Sequence, residues 1–302
     1  MSKTSPIVQT SKGKLRGFRY DGVDHFYGIR YAKAKRFQMP EPVSAWEGIK
    51  DAGSYGMICP VLNEPMPVGE VMTPHRFWPS SEHCQYLNVW TDSCNPAAKK
   101  PVMFWIHGGG YAAGSSIEQV CYDGFNLAKK DGVVVVSVNH RLNAFGYLDM
   151  SDFGDKYKNS VNVGMADLVE ALRWVRDNIA CFGGDPDNVT IFGQSGGGGK
   201  ISSLLQTPAA DGLFHKCIIM SGIADGIMYQ EGDSRPLVDG MLKELGLTAD
   251  ECEKLETLPY EQLVQAYKKV SPAIQAAGGY VGCAPTPNGY YLGDPRKVGF
   301  SK

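Results

Sequence analysis

The amino-acid sequence predicts an α/β protein built on an open, mainly parallel sheet with helices on both faces. Short apolar runs recur at 101–106, 133–138, 189–192 and 216–220, the pattern of strands buried on both sides. Between the second and third of them, Leu168, Leu172, Val175 and Ile179 repeat at three and four residues, which places one apolar stripe on a helix. Glycine supplies 36 of the 302 residues, about 12% against a usual ~7%, and it clusters directly after two of the strands.

In chain order, residues 7–31 have hairpin character. Residues 40–81, rich in Pro, Met and Gly, read as a long ordered loop; such a loop either borders a site or packs on the core, and both readings fit. The runs at 101–106 and 133–138 are buried parallel strands. A helix over 165–180 covers one side of them. Residues 183–188 form a turn cluster, 189–192 a strand, 200–206 a helix-compatible run and 216–220 another strand. From 236 to 270 the chain turns helical and charged, with Leu237, Met241, Leu242 and Leu245 on one stripe and Thr248 to Glu251 as a capping box. This reads as a helical insertion at about 234–275 beside the sheet, within a single domain over 1–302. A β-α-β succession of this kind binds ligands beyond the carboxyl ends of its strands.

Composition narrows the function. Hydrophobic residues make up 43% and charged residues 21%, and 30 Lys+Arg against 32 Asp+Glu leave a net charge of −2. A globular core is expected, while nucleic acid and membrane surfaces are poor partners for a chain without a basic patch. The polar N-terminus carries no signal-peptide core and the aliphatic run at 133–136 is far too short to span a bilayer. The eight cysteines show no zinc spacing. A cytoplasmic protein with mostly reduced thiols is expected.

Two glycine motifs carry chemistry. Gly193-Gln194-Ser195-Gly196-Gly197 follows a strand and precedes a helix-compatible run, the context of the G-x-S-x-G nucleophile elbow, in which a sharp turn exposes the serine hydroxyl. Small flanks are required because a Cβ there would meet the neighbouring strand or helix. His107-Gly108-Gly109-Gly110 follows the first buried strand as an HGGG-type loop. Its bare amides, with that of Gly196, can converge on one oxygen as an oxyanion hole. The two motifs occur in the expected order. Ser195 is therefore the candidate nucleophile. A nucleotide-binding reading of the same glycines fails on detail: Gln194 and Ile201 stand where a phosphate-binding loop needs Gly and Ser or Thr.

These residues, together with RF at 36–37, PEPVSAW at 40–46, SEHCQYLNVW at 81–90, WIHGGG at 105–110, NHRL at 139–142, NVG at 162–164 and ALRWVRDNIA at 171–180, resemble the type-B carboxylesterases, the α/β-hydrolase family of cholinesterases and p-nitrobenzyl esterases. The resemblance runs over nearly the whole chain. It implies hydrolysis of a small-molecule carboxylic ester through an acyl-enzyme, with Ser195 as nucleophile and the amides of Gly109, Gly110 and Gly196 as the oxyanion hole. No metal or organic cofactor is called for, since backbone and side chain can supply both charge stabilisation and nucleophile. It also implies that Cys59 and Cys84 lie close together, where secreted relatives have a disulfide; here they are expected to be reduced. Gln194 replaces the usual Glu, Gly196 the usual Ala, His83 the usual Asp and His140 the usual Tyr. The neutral Gln194 weakens any case for cationic substrates.

In the family the acid and histidine of the triad follow later strands than any found here. The six histidines, at 25, 75, 83, 107, 140 and 215, all fall outside the family's catalytic place. The fold class expected is thus an α/β-hydrolase whose C-terminal part is missing from this chain. A complementing C-terminal segment or chain would supply the base, and the edge left by the missing strands would be open and apolar. The competing expectation is a non-catalytic, carboxylesterase-like interaction protein or inactive fragment.

Overall fold

The computed structural model describes residues 5–61, 76–222, 232–282 and 284–299. Seven strands form the central sheet: β1 (Phe18–Tyr20), β2 (Val23–Arg30), β3 (Tyr86–Thr91), β4 (Lys100–Ile106), β5 (Val134–Val138), β6 (Gly184–Gln194) and β7 (Lys216–Met220). Their spatial order is β7-β6-β4-β5-β3-β2-β1. The sheet is mixed. β7, β6, β4 and β5 run parallel, as expected for a mainly parallel sheet, whereas the N-terminal hairpin and β3 pair antiparallel. Hairpins need only short turns, so the N-terminal strands can enter the sheet that way, while each parallel strand needs a crossover.

Those crossovers are helices. α1 (Phe125–Asp131) connects β4 to β5; α2 (Asn143–Tyr147) and α3 (Val163–Asn178) connect β5 to β6; α4 (Gly196–Leu204) connects β6 to β7. From β4 the chain moves to β5 on one side, then crosses back to β6 on the other. Strand order therefore reverses at β4, and the loops leaving β4 and β6 face each other across the resulting crevice. Gly193 pairs with Ile106, which sets the two loops side by side at the same level.

The core follows the sequence pattern. In β5, Val134, Val136 and Val138 join one apolar cluster and Val135 the opposite one, the alternation of a strand covered on both faces. Leu168, Leu172, Val175 and Ile179 are fully buried, so the predicted stripe of α3 faces the sheet. Residues 183–188 differ from the turn expected. Gly184 already pairs with Lys100, the register then shifts, and regular pairing resumes at Val189; the turn chemistry survives inside this irregularity, where Asp185 accepts from the Asp187 amide at 3.0 Å.

Beyond the sheet, α5 (Arg235–Glu244), a 3₁₀ segment (Ala249–Glu256) and α6 (Tyr260–Ala276) pack Leu237, Met241, Leu242 and Leu263 against Phe145 and Leu148. The capping box at Thr248 and Glu251 is formed, but it opens a 3₁₀ helix instead of an α-helix. In the 40–81 stretch, Ile49–Asp51 adds a parallel strand beside Lys14–Arg16, and residues 62–75 lie outside the described residues. At the other margin β7 pairs only with β6 among the described residues, leaving Ile218 45% and Met220 37% exposed. Among the described residues this margin of the sheet is open and apolar.

Arg141, in the loop after β5, is clamped to α3. Its guanidinium makes a two-pronged ion pair with Asp167 at 2.7 and 2.9 Å and donates to the carbonyls of Gln38 and Lys35. Both charges are buried. Removing one partner strands the other in a low-dielectric interior. Asp167→Ala should lower the unfolding free energy by about 3–5 kcal/mol, measured by urea denaturation; a loss under about 1 kcal/mol would contradict this role.

Candidate functional site

The sharpest backbone feature of the chain lies between β6 and α4. Ser195 adopts φ 54° and ψ −123°, a region that costs a residue with a Cβ on the order of 1–3 kcal/mol. Neighbours hold it there: its amide donates to the Met220 carbonyl at 2.8 Å, and its carbonyl accepts from Gly199 at 3.0 Å. The flanking glycines are sterically required. A Cβ on Gly193 would lie 2.7 Å from the Ile106 carbonyl oxygen, and one on Gly197 only 2.1 Å from it. The helix begins at Gly196, earlier than the run at 200–206 expected from the sequence, because these glycines let α4 start against β4. The Ser195 side chain is half-buried, and its hydroxyl makes no hydrogen bond among the described residues.

Facing it is the loop that leaves β4. Gly109 and Gly110 have φ of 84° and 61°, left-handed conformations that favour glycine. Gly108 approaches the serine: a Cβ there would sit 3.6 Å from Ser195 Cβ. Gly196 approaches the loop even more closely, since a Cβ on it would fall 2.2 Å from the Gly110 nitrogen. The amides of Gly109, Gly110 and Gly196 donate to no protein acceptor among the described residues. Gly196 stands at the first position of α4, where helix geometry leaves an amide unpaired and partly positive. The structure thus brings all four predicted site residues together. Such a cluster of free amides beside a strained hydroxyl can stabilise negative charge on an oxygen bonded to a carbon under attack.

Beneath the loop lies a buried polar group. Lys200 of α4 is fully buried and its Nζ donates to the His107 carbonyl at 3.0 Å. His107 Nδ1 contacts the Gly108 carbonyl at 2.9 Å, and His140 Nδ1 contacts the Arg141 carbonyl at 2.9 Å. A carbonyl only accepts, so each Nδ1 carries the proton. The two rings stack at 5.0 Å. Burial foremost, then the Lys200 charge, holds both imidazoles well below their ordinary pKa. Burial pushes Lys200 down to about 7, against the opposing pull of Glu118 and Cys59.

No imidazole among the described residues hydrogen-bonds to Ser195. His215 accepts from the Val189 amide, His25 stacks on Phe18, and His83 is exposed; His75 lies outside the described residues. Cys59 and Cys84 are free and adjacent, and burial with the hydrogen bond to Cys59 pushes the Cys84 thiol well up. Among the described residues no group of three or more His, Cys, Asp or Glu is arranged to hold a metal, and no helix is long and apolar enough to cross a membrane. Sequence reasoning did not place Lys200 beneath the loop. The available signal was a lysine five residues after the serine on the helix, whose burial only the fold reveals.

Residues 4–298 match the sequence model of the carboxylesterase family. The chain is 41% identical over 267 residues to the para-nitrobenzyl esterase of Bacillus subtilis strain 168, covering 87% of this chain and 53% of that protein. It is 36% identical to the phenmedipham hydrolase of Pseudarthrobacter oxydans, over 87% of this chain and 52% of that one. Among solved structures, an esterase from the anaerobe Clostridium hathewayi that can hydrolyze aliphatic aromatic polyesters superposes with a TM-score of 0.96 at 58% identity, covering 100% of this chain and 60% of that chain. The chain spans about half the length of the curated relatives it matches.

Two outcomes test this geometry. Gly196→Ala should displace the loop around Gly110 and cost about 1–3 kcal/mol by overpacking, seen as a lower urea midpoint; an unchanged midpoint would mean the loop does not pack as described. Lys200 has a pH signature. The unfolded lysine keeps its proton up to its ordinary 10.5 and the folded one releases it near 7, so in that interval the unfolded state binds more protons and stability from this residue rises with pH. Below the folded value its burial is most costly. Lys200→Met should therefore stabilise the protein more at about pH 6 than at about pH 9 relative to wild type; an equal effect at both would contradict the depressed pKa.

Proposed function

This chain belongs to the carboxylesterase family, and on that footing we propose that it carries the nucleophile and oxyanion hole of a serine carboxylesterase acting on neutral carboxylic esters. Ser195 is the nucleophile, and the amides of Gly109, Gly110 and Gly196 are the oxyanion donors. The observation that carries this reading is the strained backbone of Ser195 directly opposite a loop whose amides are unspent.

In the reaction, the Ser195 hydroxyl adds to the ester carbonyl carbon while its proton passes to an imidazole. The carbonyl electrons move onto oxygen, which the three amides meet with donors already in place, so little reorganisation is needed as charge develops. Collapse of the tetrahedral species expels the alcohol with that proton and leaves an acyl-Ser195. Water then repeats the sequence and releases the acid.

The imidazole and the acidic residue that orients it come from a further C-terminal segment or chain. Two facts support this: no described imidazole reaches Ser195, and among the described residues β7 has an unpaired apolar edge on the side where such a segment can add strands. Residues 1–302 are then one incomplete α/β-hydrolase domain bearing the helical insertion at about 234–275. Gln194, exposed beside the nucleophile, offers no carboxylate for a cationic substrate, which supports small neutral esters as the substrate class. The adjacent free thiols of Cys59 and Cys84 suit the reducing cytoplasm to which we assign it.

A fluorophosphonate should label the competent protein once per chain at Ser195. Ser195→Ala should abolish that labelling and lower kcat/KM for a p-nitrophenyl ester by on the order of 10⁶. Labelling that survives the substitution, or none with the complementing segment present, would overturn the assignment and favour a non-catalytic interaction protein.

A further inference from the structure

Lys200 is a buried lysine without an ion pair among the described residues. Lysine is almost never fully buried unless paired, yet Lys200 is fully buried and makes no salt bridge among the described residues; its hydrogen bond goes to a backbone carbonyl, that of His107. A methionine would fill similar space without the desolvation cost, so packing alone does not account for the amine. What the amine touches does.

The His107 carbonyl and the Gly108 amide belong to one planar trans peptide, so they point in opposite directions. Fixing that carbonyl from below fixes the Gly108 amide above. The next peptide is held in the same way, since the His107 ring donates from Nδ1 to the Gly108 carbonyl at 2.9 Å, which directs the Gly109 amide away from the ring. Two successive peptide planes are thus pinned on their inner side. Gly108, Gly109 and Gly110 have no side chains to anchor themselves, and Gly109 and Gly110 sit in left-handed conformations. His140 backs the His107 ring by stacking on it and is itself tied to the Arg141 carbonyl, next to the buried Arg141–Asp167 pair.

We propose that Lys200 is a positioning residue for the oxyanion loop: its grip on the His107 carbonyl, firmer with its proton than without, anchors the His107–Gly108 peptide from which the chain carries the Gly109 and Gly110 amides to Ser195. This rests on the reading of those amides as the oxyanion hole. The charged donor grips a carbonyl more strongly than the neutral amine does. The groups facing Lys200 are the Glu118 carboxyl from the loop after β4, the Cys59 thiol, and the imidazoles of His107 and His140 at the ends of β4 and β5. Both imidazoles stay neutral under burial and the nearby cation. Lys200 is left to titrate beneath the loop across neutral pH.

The test uses the competent protein with ¹³Cε-labelled lysine and ¹⁵N-labelled glycine, followed by NMR between about pH 5.5 and 9, alongside p-nitrophenyl ester kinetics and fluorophosphonate labelling. The Gly109 and Gly110 amide shifts should move with the Lys200 midpoint and lose that step in Lys200→Met. The variant should lose at least about tenfold in kcat with KM little changed, as expected when donors to the transition state are misplaced. If the wild type labels at Ser195 but the glycine amides ignore the Lys200 titration, or Lys200→Met keeps the wild-type kcat, the inference is overturned. If the wild type fails to label at Ser195 while the amides follow Lys200, the brace stands and the hydrolase reading falls.

Discussion

The structure depends on backbone meeting backbone where strand order reverses. Between β4 and β6 the Ile106 carbonyl leaves no room for a Cβ on Gly193 or Gly197, and the Gly110 nitrogen leaves none for a Cβ on Gly196. Ordinary side chains would hold these two loops apart. Removing them brings a strained serine and a row of unspent amides to one crevice. The cost is a poor helix start, since each glycine inside a helix is less favourable than alanine by up to ~1 kcal/mol, and it is offset by the burial of α4 against the sheet, where every residue from Gly196 to Leu204 is buried.

A site made of main-chain donors has to be rigid without side chains of its own, so its stiffness comes from the layer beneath. Here that layer is polar and fully enclosed: Lys200, the stacked pair His107 and His140, and the Arg141–Asp167 ion pair. It joins the loop after β4, the loop after β5 and the helices α3 and α4 through hydrogen bonds on either side and the stacked imidazoles between them. The hydrogen bonds that this layer makes stiffen the loop above it, while the Nε2 atoms of His107 and His140 are buried without a hydrogen-bond partner among the described residues. Fold and site thereby share one set of interactions.

Much of this was legible in the sequence, for reasons that differ by element. The stripe of Leu168, Leu172, Val175 and Ile179 repeats on a helical period and nothing else, so α3 emerged close to its true extent. The β-branched run before Asn139 was unambiguous because both faces of β5 are covered. The elbow and the glycine loop were readable because so few backbones need glycine in that arrangement after a strand. The stretch from Gly184 to Asn188 misled because Asp, Pro and Asn signal a turn whether it stands alone or sits in an irregularity within a strand. The early start of α4 was hidden by glycine's low helix propensity, which tertiary packing overrides. Lys200 was invisible as a structural element, since a lysine in a helix reads as exposed until the fold shows what lies over it.

Hydrolysis at this site requires the three amides and the Ser195 hydroxyl to address one and the same point in space. A crystal structure of the competent protein carrying a phosphonate on Ser195 measures this directly. The phosphoryl oxygen should lie within ordinary hydrogen-bonding distance, about 2.7–3.1 Å, of the Gly109, Gly110 and Gly196 nitrogens. A phosphoryl oxygen turned to solvent, or an adduct on another residue, would contradict the hydrolytic assignment.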